Sequence, residues 1–269
     1  AESTAIPTIA EYISDYLKVI SEDGSPMGRL AKKRHLESDI LVEFGHLPLN
    51  GLRQRAIDTY KTRLLKGTKK TKTTKGRAAV SIKTVNNILA PLGTLLRYAV
   101  RNKEIEGFNL VLNFREPESE LDAISSDDFE KLLASCSDLR YRVALLLGRN
   151  AGLRIGEIRS LRWCDVDEKK GRITVRSSYD TRNNLKSTKN GKIRHVPLSG
   201  RVSEALKQLN PFDAASWAGK STIIEHQKQR KPLSYWAMRD KVLGLYKTAG
   251  VEVPDLPWHC LRHAFCTEL

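Results

Sequence analysis

A short acidic segment near the middle of the sequence constrains the fold more than any other feature. Residues 116–122 read EPESELD, with four acidic side chains, one proline and no apolar periodicity. Such a stretch is typical of a linker, because it offers no apolar face to a core and the proline opposes a helix. A chain of 269 residues, 40% of them hydrophobic, is long enough for a separate core on each side. The sequence therefore predicts a first domain over residues 1–114, a linker over 115–124 and a second domain over 125–269.

Helical patterns fill the first domain. A capping box of the form S/T-x-x-E begins at Thr8, and apolar residues then recur every three or four positions. Similar spacing predicts helices over residues 28–44, 52–65 and 82–100. Ser81 is placed to cap the last of these, while Pro91 inside it is expected to kink or break it. We therefore expect an all-α bundle of four or five helices.

Helix and strand patterns are mixed in the second domain. Helices are predicted over residues 126–133, 138–150, 202–209 and 235–249. Residues 172–176 and 193–198 are instead rich in β-branched side chains, and a polar loop containing Gly and Asn joins them. They are predicted to be strands of a small antiparallel sheet. The expected fold class is α+β overall and mainly α, with an N-terminal all-α helical bundle followed by a mixed α+β domain.

Positive charge is concentrated in two regions. Basic residues exceed acidic ones by 15 over the whole chain, but residues 51–100 carry twelve basic side chains against one acidic, and residues 151–250 carry 21 against nine. An excess of this size indicates a polyanionic partner, most simply nucleic acid. A membrane surface is the alternative. However, the longest uninterrupted apolar run, residues 143–147, falls far short of the roughly 18 residues that span a bilayer. No membrane association is therefore expected.

Cysteine usage and the first residues bear on the compartment. No C-x-x-C pair occurs among the four cysteines, which are Cys136, Cys164, Cys260 and Cys266. Neither a disulfide framework nor a cysteine-type zinc site is expected, so the thiols indicate a reducing compartment. The opening residues have no basic start and no apolar stretch, unlike a secretory signal. The sequence thus predicts a cytoplasmic, DNA-associated protein of a bacterium.

The most basic stretch runs from Lys61 to Arg77, with eight basic residues in seventeen and no acid. The simplest interpretation is a solvated, flexible loop. Such a loop loses little solvation when it meets DNA phosphates. Each phosphate that it neutralises adds about 0.9 to the steepness with which the logarithm of the binding constant falls against the logarithm of the salt concentration. We therefore expect DNA contacts here and at the start of the next helix, from Lys66, Lys69, Lys70, Lys72, Lys75, Arg77 and Lys83.

Three separated segments carry the residues from which chemistry is expected. They read AGLRIGEIRSLRWCDV at 151–166, KNGKIRHVPL at 189–198 and HCLRHAF at 259–265. Taken singly, each has an ordinary explanation as a surface arginine, a solvated lysine or a capping pair. In this order they resemble the tyrosine recombinases, also called phage integrases. The first is similar to the first arginine box of that family and the third to the second box, while residues 81–105 resemble its helical core-binding domain.

The resemblance implies a role for each matching residue. Phosphodiester cleavage without a metal needs fixed cations that neutralise the non-bridging oxygens, and guanidinium groups bind phosphate bidentately at any working pH. Arg154 and Arg262 would hold the scissile phosphate. His259 would donate a hydrogen bond or handle the proton of the nucleophile. Glu157 would support Arg154 or His259, although an exposed i,i+3 pair is a nearly equal alternative, and for His263 a supporting role competes with core packing.

The resemblance also assigns an acid. The lysine eight residues before the proline of V-P-L is Lys189, at the place where the family keeps its β-hairpin lysine. It would protonate the 5′ oxygen that leaves the phosphorus. Lys186 and Lys192 are close enough in sequence to remain alternatives.

The nucleophile is the one element of the family pattern that has no match. The family's tyrosine, and the His or Trp box before it, lie a few dozen residues beyond the H-x-x-R box. All eight tyrosines here precede His259, and the sequence ends six residues after His263. We therefore expect the nucleophile to be missing from these residues, which would then bind DNA without cleaving it.

The resemblance as a whole implies a site-specific recombinase of a mobile element. Such a protein cuts and rejoins double-stranded DNA through a 3′-phosphotyrosine, within a homotetramer, with no metal and no nucleotide cofactor. Its two domains would close as a C-shaped clamp around the duplex. The alternatives are a DNA-binding protein without catalytic activity and an enzyme similar to type IB topoisomerases.

Overall fold

Two hydrophobic cores divide the chain into the units Ala1–Glu118 and Ser119–Leu269. The boundary between these units falls within residues 115–124, the segment that the sequence assigns to a linker. In the computed structural model, the described residues are 6–19, 26–67, 76, 78–116, 123–187, 191–209, 221–225 and 231–267. Among these residues, no helix is long and apolar enough to cross a membrane.

Helices are the main regular elements among the described residues of the first unit. Its helices are α1 (Ile9–Val19), α2 (Pro26–His35), α3 (Leu41–Phe44), α4 (Gln54–Lys66) and α5 (Ile82–Arg101). A π-helical turn over Leu36–Ile40 joins α2 to α3, so one helical run covers the region predicted as a single helix. The predicted all-α bundle is confirmed.

Local capping explains where α1 and α5 begin. The amide of Thr8 donates to Glu11 Oε2 over 2.8 Å, and the amide of Glu11 donates back to Thr8 Oγ1 over 3.2 Å, which completes the predicted capping box. Ser81 Oγ likewise accepts from the amide of Thr84 at the start of α5. The expected break at Pro91 is wrong, because α5 continues through this residue. Burial of the apolar face of α5, Pro91 included, outweighs the one backbone hydrogen bond that proline removes.

A buried lysine corrects the predicted start of the basic loop. Lys61 lies on α4, is 3% exposed, and donates to the carbonyl of Val111 over 2.5 Å. Its ammonium lies 4.8 Å from the centroid of the Phe114 ring, and burial lowers the pKa of Lys61. Gln54 pairs with both backbone groups of Val111, and Asn86 pairs with both of Phe114. Lys61 therefore fixes the end of the first unit to its helices and is not part of an exposed loop.

The second unit combines six helices with five short strands among its described residues. The helices are α6 (Ser126–Ala134), α7 (Leu139–Asn150), α8 (Ile155–Ser160), α9 (Gly200–Leu209), α10 (Tyr235–Ala249) and α11 (His259–Thr267). The strands are β1 (Val166–Asp167), β2 (Arg172–Val175), β3 (Ser177–Tyr179), β4 (Leu185–Ser187) and β5 (Arg194–Pro197). The order β1–β2–β5 forms one antiparallel sheet, and β3–β4 forms a separate antiparallel pair. The predicted α+β fold class is confirmed.

The β3–β4 pair corrects the sequence prediction, which treated the connection between the two main strands as a loop. Each of its strands has only three residues, and none of them is buried, so no apolar alternation marks them. The pair is held by its packing against α8. A Cβ at Gly156 on α8 would lie 2.4 Å from both Ser178 Oγ and the Tyr179 carbonyl oxygen, so only glycine allows this contact.

Helix α7 is the centre of the second core. Its residues 143–149 are buried, and it packs against both α9 and α11. A Cβ at Gly148 would lie 3.2 Å from the Leu261 side chain, so α7 and α11 approach closely there. After α7, Gly152 adopts a φ of +61°, and a Cβ there would lie 2.4 Å from the ring of Phe265. These two glycines set α11 directly against the turn between α7 and α8.

Candidate active site

Arg154 stands at the beginning of α8, in extended backbone conformation just before the first helical residue. Its amide donates to Glu157 Oε2 over 2.8 Å, so Glu157 caps the N-terminus of α8 from one turn inside the helix. Its guanidinium makes a single longer contact, from Nη1 to Glu157 Oε1 over 3.2 Å. The side chain of Arg154 is 42% exposed. The helix start therefore presents a fixed cation that solvent can reach.

Glu157 is buried beneath this arginine and holds a second one. It is 3% exposed, and Arg194 on β5 donates from Nη1 to Oε1 over 2.7 Å and from Nη2 to Oε2 over 2.6 Å. Burial acts to raise the pKa of Glu157, but the hydrogen bonds from Arg194 and the Arg154 amide outweigh it and lower the pKa. Glu157 is thus a buried carboxylate with four N–H donors, and the alternative of an exposed i,i+3 pair is wrong.

Arg262 approaches the same place from α11. It donates to the carbonyl of Gly152, in the turn that precedes Arg154. Burial lowers the pKa of Arg262, and repulsion from Arg154 lowers it further, while Glu157 acts in the opposite direction. Two guanidinium groups that are far apart in sequence are therefore close enough to repel each other. An anion between them would relieve this repulsion.

His259, the first residue of α11, belongs to the same cluster. Burial lowers its pKa, and His263, Arg154 and Arg262 each lower it further because they disfavour another positive charge. The His259 ring is therefore neutral at pH 7. His263 lies one turn later, with the two ring centroids 6.4 Å apart, and its Nδ1 is buried without a hydrogen-bond partner among the described residues.

The structure brings four predicted residues together, which are Arg154, Glu157, His259 and Arg262, with His263 beside them. Lys189 lies outside the described residues. Of its two alternatives, Lys186 on β4 forms an ion pair with Asp180 over 3.0 Å, and Lys192 is exposed. No group of His, Cys, Asp and Glu within the described part of the chain could hold a metal ion.

The predicted DNA-contact residues belong to the first unit and are described only in part. Lys66 is the last residue of α4, Lys83 lies in the first turn of α5, and both are exposed. The remaining five lie outside the described residues: Lys69, Lys70, Lys72, Lys75 and Arg77. One further basic surface was not predicted. It lies on α2 and consists of Arg29, Lys32, Lys33 and Arg34.

Sequence reasoning also missed two arginines of the second unit. Arg194 lies within the second of the three motifs, but the sequence assigned it no role. The available signal was a charged residue in a strand whose partner position on β2, Val175, is buried. Arg159 on α8 is completely buried. It donates from Nε to the Leu233 carbonyl over 2.7 Å and from Nη1 to the Asp180 carbonyl over 2.9 Å. It thereby ties α8 to the turn between β3 and β4, and no periodicity marks it because every residue of α8 is buried.

Comparison with known proteins identifies the family to which this chain belongs. Residues 122–269 match the family model described as the phage integrase family. Tyrosine recombinase XerA of Pyrococcus horikoshii is 26% identical over 257 residues, which cover 87% of this chain and 80% of XerA. Prophage integrase IntR of Escherichia coli K12 is 28% identical over 214 residues, which cover 76% of this chain and 50% of IntR.

Solved structures share the fold. The Tn1549 transposon integrase in complex with a circular intermediate DNA superposes with a TM-score of 0.73 at 18% identity, covering 97% of this chain and 86% of that one. A lambda integrase tetramer bound to a Holliday junction gives a TM-score of 0.67 at 18% identity, covering 97% of this chain and 70% of the other. At 18% identity, these two comparisons show a shared fold.

Proposed function

Because this chain belongs to the phage integrase family, we propose that it is a site-specific recombinase that cuts and rejoins DNA through a 3′-phosphotyrosine. The observation that carries the proposal is that Arg262 donates to the carbonyl of Gly152, in the turn that leads to Arg154 at the start of α8, with His259 on the same helix as Arg262. Burial and the nearby arginines lower the pKa of both Arg262 and His259. A phosphodiester is the anion that such a pair of arginines fits, since each guanidinium can bind two phosphate oxygens.

The proposed reaction assigns one task to each residue. Arg154 and Arg262 bind the non-bridging oxygens of the scissile phosphate and stabilise the charge that develops on them in the transition state. His259, neutral at pH 7, accepts the proton of the attacking hydroxyl or bonds to the phosphate. The tyrosine oxygen forms a bond to phosphorus, the bond to the 5′ oxygen breaks, and that oxygen takes up a proton. By the resemblance above, Lys189 supplies this proton.

Two tyrosines of the second unit are poorly suited to the attack. Tyr141 and Tyr246 in the second unit are buried, and burial raises the pKa of each hydroxyl, which disfavours the phenolate. Tyr246 also contacts the Cys260 Sγ over 3.0 Å within the core. We propose that the nucleophile is a tyrosine outside these 269 residues.

Double-stranded DNA is the proposed partner, within a homotetramer. Support comes from the solved relatives, one bound to a circular intermediate DNA and another a tetramer on a Holliday junction. Further support comes from the basic surfaces of the first unit, on α2 and at Lys66 and Lys83. Binding through such cations weakens as salt rises, by a logarithmic slope of about 0.9 for each phosphate neutralised.

The test is covalent adduct formation on a nicked suicide duplex by the full-length gene product, with the 269-residue chain alongside. We expect an adduct that survives SDS for the full-length protein, and salt-sensitive DNA binding without an adduct for the shorter chain. Full-length Arg154→Met is the matched control, which should bind DNA and form the adduct far more slowly than wild type. Binding without any adduct by the full-length protein would favour a non-catalytic DNA-binding protein.

Two further outcomes sharpen the assignment. An adduct with the 269-residue chain would mean that one of its eight tyrosines is the nucleophile. Strand exchange between two sites would identify a recombinase, whereas relaxation of supercoils without exchange would favour an enzyme similar to type IB topoisomerases.

A further inference from the structure

Two anions compete for the guanidinium of Arg154. One is the phosphate of the proposed function, and the other is the carboxylate of Glu157, which lies only three residues away and is always within reach. A guanidinium binds either anion best in the same way, with two parallel N–H bonds. If Glu157 made that bidentate contact with Arg154, a phosphate could bind Arg154 only after displacing the carboxylate.

Arg194 prevents this competition by occupying both carboxylate oxygens. Its two contacts with Glu157 measure 2.7 and 2.6 Å, whereas the one side-chain contact from Arg154 measures 3.2 Å. We infer that Arg194 is a positioning residue that binds Glu157 and so leaves the Arg154 guanidinium free to bind phosphate. This inference deepens the proposed function and rests on it for the identity of the anion.

The charge balance of the site agrees with this role. Arg154, Arg194 and Arg262 carry three positive charges around the single negative charge of Glu157. Arg194 is also among the groups that lower the pKa of Arg262, so it contributes to the same positive field. Without Arg194, Glu157 would neutralise one of the two phosphate-binding arginines. The net positive charge that attracts a phosphate would then be half as large.

A second pair in the same unit provides a matched control. Arg176 Nε donates to Asp165 Oδ1 over 2.6 Å, and Asp165 is as buried as Glu157. Loss of Arg176 removes an arginine from a buried carboxylate, as loss of Arg194 does. A general effect of breaking a buried ion pair would therefore appear on loss of either arginine. An effect transmitted to Arg154 is expected only on loss of Arg194.

The experiment measures the reactivity of the Arg154 guanidinium itself. The 269-residue chain is treated with phenylglyoxal, which modifies accessible guanidinium groups, and the rate at Arg154 is followed by mass spectrometry. In Arg194→Met we expect this rate to fall by about tenfold, the value of one charge-assisted hydrogen bond. Adding Glu157→Gln to that variant should restore the rate, because the competing carboxylate is then neutral. Arg176→Met should leave it unchanged.

Two results would overturn the inference. One is an unchanged Arg154 rate in Arg194→Met, and the other is a lowered rate that the added Glu157→Gln does not restore. Because Arg194→Met leaves a buried carboxylate with fewer donors, it could fail to fold, and circular dichroism is the check. Arg194→Lys then replaces it. That variant keeps the charge without the planar fork, so the Arg154 rate should fall below that of wild type and should recover when Glu157→Gln is added.

A second measurement separates this inference from the proposed function. In single-turnover adduct formation by the full-length protein, Arg194→Met should lower the rate constant with little change in DNA affinity. The added Glu157→Gln should recover part of that loss, which a purely structural role of Arg194 would not produce. If the labelling result holds but wild type forms no adduct, the proposed function fails while the role of Arg194 stands.

Discussion

Two clusters in the second unit are built in the same way, each with one buried carboxylate between two arginines. The Glu157 triad consists of Arg154, Glu157 and Arg194. The Asp165 triad consists of Arg162, Asp165 and Arg176. In each, the acid accepts from the backbone amide of the arginine three residues before it, and the other arginine comes from the region of the strands.

The triads differ in how the carboxylate is shared. In the Glu157 triad, Arg194 bonds to both oxygens, and Arg154 is left with one long side-chain contact. In the Asp165 triad, each arginine bonds to one oxygen, at 2.6 Å for Arg176 and 3.3 Å for Arg162. The Glu157 triad also has Arg262 and His259 as neighbours. The proposed site therefore needs more than a buried ion pair. It needs a guanidinium that its acid does not hold bidentately and that lies beside a second cation.

The largest expected difference between the triads is in catalysis. Arg154→Met should lower the rate constant of adduct formation by the full-length protein by about 10²–10³, because a donor that stabilises transition-state charge is lost. Arg162→Met removes the equivalent arginine of the other triad and should have little effect. Single-turnover kinetics on the nicked duplex measure both. Equal losses in the two variants would remove the functional distinction between the triads.

The next difference is in stability. Glu157→Ala should lower the free energy of unfolding by about 2–4 kcal/mol, because four N–H donors, two of them in a short bidentate pair, lose their acceptor. Asp165→Ala should cost about 1–3 kcal/mol, since it has three donors and two of these bonds are long. Urea unfolding of the second unit is the measurement. A larger loss for Asp165→Ala would contradict this ranking.

The smallest expected difference is in the titration of His259. Arg154 helps to lower the pKa of His259, so Arg154→Met should raise that pKa. The pKa should stay below that of a free histidine, because burial is the largest cause of the shift. Arg162→Met should not change it. NMR titration of the His259 ring resonances in the 269-residue chain follows both variants, and an unchanged pKa in Arg154→Met would show that the two side chains are not neighbours.

Local patterns in the sequence predicted most of the helices, although not α8 or α11, and the family resemblance predicted most of the cluster. Capping at Thr8 and Ser81 fixed helix starts correctly because the partners lie within four residues. The first arginine box and the H-x-x-R box predicted Arg154, His259 and Arg262 through their joint resemblance to the family, since each motif alone has an ordinary explanation. How α11 would meet the start of α8 remained open.

Contacts between distant segments could not be predicted in this way. The sequence places Lys61 in a run of basic residues, and no neighbouring residue in the sequence indicates that Val111 and Phe114 enclose it. Arg194 acquires its role only when β5 lies beside α8. Arg159 reads as an ordinary helical arginine, although its partners come from the β3–β4 turn and from Leu233. In each case the deciding partner comes from another element, so no local periodicity could show it.

The spacing of Arg154 and Arg262, the two arginines proposed to bind phosphate, depends on positions that bear no side chain. A methyl group at Gly148 would press on Leu261, the neighbour of Arg262, and one at Gly152 would collide with Phe265 in a conformation already unfavourable for it. Either change would widen the gap between the guanidinium groups and leave both of them chemically intact. Two residues that take no part in the proposed reaction therefore constrain the geometry of its site.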